Sequence, residues 1–245
     1  MNKILLWAII ACLVGALAIG LVPRYMRPRC TAEVTKISAV QGSGDRSPLV
    51  GETVTVEGVV VANFSEPGGL SGYFVQEEDR DADDDPLTSE GIFVYQPDAG
   101  LKVGDIVCVT GRVAEYQGLT ELKDVSQVAA WSFKDVKLPS PVEVALPFPD
   151  NGWLERVEGM RVQFPQELTV TDTYALGRYG EVTLSNGRLY CPTEVATPGA
   201  EAKAYDAENA HNHVILDDGI SLQNPDPIVY PSPCLLYTSP SPRDS

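Results

Sequence analysis

Asp79, Asp81 and Asp83 stand at alternate positions in the segment Glu77-Glu78-Asp79-Arg80-Asp81-Ala82-Asp83-Asp84-Asp85, and Glu90 falls twelfth counting from Asp79. Hard oxygen ligands at positions 1, 3, 5 and 12 of a loop are what an EF-hand-type site offers Ca²⁺. Two features depart from that pattern: position 6 is Asp84, where the sharp turn wants Gly, and no flanking helices are legible. The segment therefore reads in two ways, as a calcium loop or as a solvated acidic loop tip.

Aromatic residues carry the second kind of chemistry. In strand-like stretches Phe74 points to the face opposite Tyr73, and Phe93 and Tyr95 to the face opposite Ile92 and Val94. Outward rings on a small barrel can stack the bases of a single strand with little sequence preference. Packing against a core or a second domain is the competing use of the same rings. Arg178 and Tyr179 sit between Gly177 and Gly180 in an expected turn that would present a cation and a ring together. His211 and His213 are the only histidines, and no Cys or third His lies near them in sequence, so they read as loop residues. No G-x-S-x-G, H-E-x-x-H or phosphate-binding P-loop occurs.

These residues need strands to position them, and the pattern is β-rich. Thr53–Ala62, 72–76, 91–95, 106–113 and 119–125 read as five strands with Gly and Asp turns between them. Gly58 within the first suggests a bulge or sharp bend. Five short strands in about 100 residues predict a small closed barrel. The second half echoes this with strands expected at 159–164, 168–173, 181–184, 188–191 and 213–216. Asn186-Gly187 is read as a hairpin turn joining the third and fourth of these, and 200–210 as the one helix-permissive segment. Pro139-Ser140-Pro141 and 147–152 read as the link between halves. The expected fold class is thus all-β, with tandem OB-like small barrels at 31–135 and 136–233, the second incomplete.

Both ends of the chain stand apart from this pattern. Residues 4–22 form an apolar run behind Lys3, which reads as a signal peptide within 1–30 or, at 19 residues, a membrane anchor. Export to an extracellular or periplasmic location follows from either. Residues 234–245 back-translate into the string of a transposase sequencing adapter and are read as an artefact tail. Outside the apolar run and this tail, three of the five cysteines remain: Cys30, Cys108 and Cys191. They form neither a disulfide framework nor a C-x-x-C metal site. Cys108 reads as a small buried hydrophobe, and Cys30 as either free or paired.

The net charge is −16. Residues 31–135 hold 7 basic against 19 acidic side chains, and residues 136–233 hold 6 against 14. This excludes a general phosphate-backbone binder, whose affinity comes from Lys and Arg.

Several strings in sequence order carry a resemblance: Ile37-Ser-Ala-Val-Gln-Gly-Ser-Gly44, Val54-Thr-Val-Glu-Gly-Val-Val60, Gly72-Tyr-Phe-Val-Gln76, Thr88-Ser-Glu-Gly-Ile-Phe-Val-Tyr95, Leu176-Gly-Arg-Tyr-Gly-Glu-Val182 and Leu216-Asp-Asp-Gly219. Together, over residues 35–233, they resemble the N-terminal region of bacterial extracellular endonucleases. In that family OB-like modules precede an endonuclease/exonuclease/phosphatase-type catalytic domain. The resemblance implies a secreted enzyme that hydrolyses extracellular DNA with a divalent metal, Mg²⁺ or Ca²⁺, in a catalytic domain absent from this chain. The modules would engage substrate or position that domain. No catalytic residue carries over, and no obligate protein partner is evident. Two other classes stay open: a non-enzymatic envelope protein whose modules bind protein or glycan, and the accessory region of a phosphatase or nucleotidase.

Overall fold

The computed structural model describes residues 30–228 apart from Asp84, Asp135 and Asn151. The apolar run at 4–22 and the tail at 234–245 lie outside the described residues. Among the described residues no helix is long and apolar enough to cross a membrane. Of the described residues, those from 34 to 228 group as one compact unit.

Five strands close on themselves. They are β1 (Thr53–Phe64), β2 (Gly72–Gln76), β3 (Gly91–Tyr95), β4 (Ile106–Tyr116) and β5 (Leu119–Trp131). Their order is β1-β2-β3-β5-β4, a closed barrel. The length of β1 makes closure possible, because it serves two neighbours in succession. Thr53 to Val59 pair with β4, and Val59 to Phe64 pair with β2. The bend falls at a register shift between Val60 and Ala62, rather than at Gly58 as the sequence suggested. Gly58 instead makes room: a Cβ there would lie 2.7 Å from the Gln76 carbonyl oxygen and from Val75 Cγ1, so β2 can cross only because the side chain is missing. Gln117 and Gly118, both at positive φ, form the two-residue turn between β4 and β5. The ring is completed by a short parallel seam between β3 and β5, Phe93 opposite Glu121 and Val94 opposite Leu122.

Alternation along these strands fills the interior. Val54, Val56, Val60, Tyr73, Val75, Ile92, Val94, Val107, Val109, Val113 and Leu122 form the core. The helix α1 (Ile37–Gln41) adds Ile37 and Val40, both fully buried. Each such side chain contributes about 1.5–3 kcal/mol of burial free energy.

The second half has smaller sheets. Two-residue strands β6 (Val142–Glu143) and β7 (Val162–Gln163) pair in parallel. β8 (Thr169–Asp172), β9 (Val182–Ser185) and β10 (His213–Leu216) form an antiparallel sheet in the order β10-β9-β8. Helices α2 (Leu176–Tyr179), α3 (Pro192–Val195) and α4 (Ala200–His211) intervene. The expected strand at 188–191 does not form. Asn186-Gly187 turns the chain, with Gly187 at φ +75°, but both edges of β9 are already taken by β8 and β10, so no hairpin partner fits. The Pro-rich stretch after 139 is less of a linker than its composition suggests: Val144, Leu146 and Phe148 are the buried centre of a second core with Trp153, Val157, Phe164, Leu168 and Val214.

The segment 158–161 docks on the barrel. Ser89 Oγ donates to the Glu158 carbonyl at 2.6 Å, and Arg161 N donates to Gln76 Oε1 at 2.9 Å. The contact is backbone against backbone, since a Cβ on Gly91 would stand 2.3 Å from the Gly159 carbonyl carbon. Cys108 is buried, as expected, and it is also disulfide-bonded, as is Cys30. Reading it as a plain hydrophobe therefore missed its chemistry. Cys191 is free and exposed.

Candidate nucleic-acid interface

Register places the outward aromatics in rows. Phe74 on β2 stands directly opposite Phe93 on β3, with ring centroids 5.0 Å apart. One row further along, Phe64, Gly72 and Tyr95 are register partners across β1, β2 and β3. Phe64 meets Phe74 edge-on, centroids 6.3 Å apart at 86°. Gly72 leaves a gap in this row, and the Phe93 ring leans into it, 2.4 Å from where a Cβ would be. The sequence reading missed Phe64. The register shift after Val60 changes which face its side chain takes, and a strict alternation count along β1 cannot register that change.

The rings differ in what they offer solvent. Phe93 is 4% exposed, with Phe74 and Gly72 against it, so it packs the face and presents no free plane. Phe74 is half-buried. Tyr95 is 47% exposed and stands free at the end of the row.

Arg178 and Tyr179 reach this face through the segment 217–224. Gly219, at φ +72°, lies on the Phe64 ring, and a Cβ there would be 2.5 Å from Cδ1. The preceding residue, Asp218, abuts Gly180, which ends α2 in the left-handed conformation. Ser221 N donates to the Gly68 carbonyl at 2.7 Å, Asn224 N donates to the Arg178 carbonyl at 2.8 Å, and Arg178 Nη2 donates to Gln223 Oε1 at 3.3 Å. One strap thus joins Phe64 and the β1–β2 loop to the end of α2, the helix that carries Arg178 and Tyr179. The Arg178 guanidinium lies 5.1 Å from the centroid of the Tyr179 ring, as a presented cation and ring would. Only the expected residues within this cluster were visible in the sequence; the strap that gathers them was not.

The acidic loop spends its carboxylates on protein donors. Asp79 accepts from Lys137 Nζ at 2.8 Å, Ser140 N at 2.6 Å and Ser140 Oγ at 2.9 Å, which holds its carboxyl down at about 2. Asp81 accepts from Arg80 Nε at 3.1 Å. Asp83 accepts from Asp85 N at 2.8 Å and from the Thr88 hydroxyl. Glu90 Oε1 accepts from Asp83 N at 2.8 Å, while Oε2 is buried without a partner among the described residues. Burial pushes the Glu90 carboxyl up to about 7. Asp79, Asp81 and Asp83 thus face three different sets of donors, and among the described residues no three His, Cys, Asp or Glu side chains gather to hold a metal. Beside the loop, Glu77 is 3% exposed and takes Ile37 N at 2.6 Å and Lys36 Nζ at 3.0 Å.

Comparison with protein-family models, with curated proteins and with solved structures finds no match.

Proposed function

We propose that the chain is the non-catalytic N-terminal part of an exported nuclease acting on extracellular DNA. Its first barrel is read as OB-like, and the second half as a further β-rich, OB-like module. The observation that carries this reading is the aromatic face of β1–β3, with Tyr95 exposed at one end and a strap at the other that runs from Phe64 to the helix carrying Arg178 and Tyr179. Exposed rings and a guanidinium in one surface are what a single strand stacks on. The disulfide-bonded Cys30 and Cys108 favour an oxidising compartment, in line with export by residues 4–22, cleaved or retained as an anchor. The acidic surface favours weak engagement that steers substrate toward a separate catalytic domain, where a bound Mg²⁺ or Ca²⁺ would do the hydrolytic chemistry.

The test is fluorescence anisotropy with a labelled oligothymidine at low salt. Saturable binding that weakens about 5- to 100-fold in Tyr95→Ala and in Tyr179→Ala is expected, the range set by loss of one stacked base. Absence of binding at low salt would overturn substrate engagement and leave the modules as spacers, or as binders of protein or glycan.

A further inference from the structure

A cavity of about 360 Å³ opens in the second half, between Pro147–Phe148 and the last turns of α4, and shares no lining residue with the aromatic face. One side of it, at Pro147 and Phe148, is apolar. Phe148 is 7% exposed and stacks on Trp153, centroids 5.7 Å apart and planes 16° from parallel. Phe148 N donates to the His211 carbonyl at 2.8 Å, which fixes that wall to the end of α4.

The mouth is built by two amides. Asn209 Nδ2 donates to the Tyr190 carbonyl and Asn212 Nδ2 to the Asn186 carbonyl, each at 3.1 Å. They latch the loop 186–190 onto α4 and bring Arg188 to the rim. The Arg188 guanidinium is held over the Tyr190 ring at 5.1 Å. Among the described residues Arg188 makes no ion pair. That is notable where acidic side chains outnumber basic ones 14 to 6 across residues 136–233. Glu208 also lines the cavity.

We propose that this cavity binds a small organic anion carrying a flat ring and a hydroxyl or amino group. The ring lies against Pro147 and Tyr205, which line the cavity and are more exposed than Phe148. The anionic group takes the fork of Arg188, whose planar donors suit carboxylate or phosphate. Glu208 accepts from the ligand's hydroxyl or amine, and disfavours a second anionic group at that end of the ligand. The volume, near the lower end of the roughly 300–1,000 Å³ usual for ligand sites, holds one such molecule rather than an oligomer. Nucleoside monophosphates and hydroxylated aromatic carboxylates share this chemistry. The inference does not rest on the nuclease reading.

Isothermal titration of the whole chain tests it with four probes: adenosine monophosphate, 4-hydroxybenzoate, inorganic phosphate and adenosine. At least one of the two ring-bearing anions is expected to saturate at one site, with phosphate and adenosine weaker by about tenfold or more. Arg188→Ala, at an exposed position, is expected to weaken the ring-bearing anion about tenfold while circular dichroism stays unchanged. Arg188→Lys should recover only part of the loss, because it restores charge without the fork. No saturable binding of either ring anion up to about 5 mM, or binding by Arg188→Ala within about twofold of the parent, overturns the proposal. Oligothymidine binding should be untouched by Arg188→Ala, so this site and the aromatic face can fail separately.

Discussion

Glu158 and Gln41 lie 117 positions apart in the chain, yet Gln41 Nε2 donates to Glu158 Oε1 at 3.1 Å. The same oxygen accepts from Thr120 N at 3.0 Å, and Gln41 Nε2 also reaches the Gly91 carbonyl at 2.6 Å. One carboxylate therefore ties the second half to α1 and β5, and through Gln41 to β3.

Stability should depend on pH through this joint. Burial pushes the carboxyls of Glu158 and Glu90 up to about 7, the first-mentioned against the pull of its two hydrogen bonds. Between the ordinary carboxyl range and about 7 the folded chain holds more protons than the unfolded one, so stability falls as pH rises through that window. The melting temperature is expected to climb as pH is lowered from about 8 to about 5. Glu158→Gln, which keeps an acceptor for Thr120, should flatten that slope. A melting temperature that falls steadily over the same range, or an unchanged slope in the variant, would sink the assignment.

The strap should be breakable at one residue. Gly219→Val places a side chain where Phe64 already sits, at a φ that β-branched residues avoid. The expected cost is about 1–3 kcal/mol, read as a lower denaturant midpoint. Limited proteolysis should then cut within 217–224, where the parent resists. An unchanged midpoint together with an unchanged digest would mean that the strap contributes nothing.

Two aromatic substitutions should separate packing from recognition. Phe93→Ala removes a buried ring and should cost about 3–5 kcal/mol in folding. Tyr95→Ala, at an exposed ring, should leave the denaturant midpoint within about 0.5 kcal/mol and act on oligonucleotide binding alone. Equal destabilisation by both would contradict the exposure difference on which the face is assigned.

Calcium offers a further check. A cation in the acidic loop would have to draw Asp79 away from Lys137 and Ser140, and Asp83 from Thr88. Millimolar calcium is therefore expected to leave the melting temperature where it was, since only a ligand that binds the native state raises it. A rise that saturates with calcium, and vanishes in Asp83→Asn, would establish the loop as a metal site.

The barrel was legible from sequence because its strands alternate over short runs bounded by Gly and Asp. The expected limits of β2, β3 and β10 coincide with those observed. Elements whose partners lie far away in sequence were not. Residues 188–191 have strand composition, but β9 has no free edge for them. Glu158 reads as an ordinary surface acid until Thr120 and Gln41 are seen around it. Among the site residues, Phe74, Phe93 and Tyr95 could be assigned a face by counting. Their exposure could not, because it depends on Gly72 admitting the Phe93 ring. Phe64 was hidden by a register shift, and its contact with Gly219 bridges 155 positions of chain.

Ring closure has a last consequence, for self-association. A strand whose neighbours are already supplied on both sides cannot recruit another chain through its backbone, so the barrel gives no template for edge-to-edge growth. The sheet β10-β9-β8 does have ends, and β10 carries Ile215 and Leu216 at 60% and 43% exposure. Among the described residues, strand addition must therefore start from the second half, and charges placed at Ile215 and Leu216 are where solubility can be adjusted without touching the barrel.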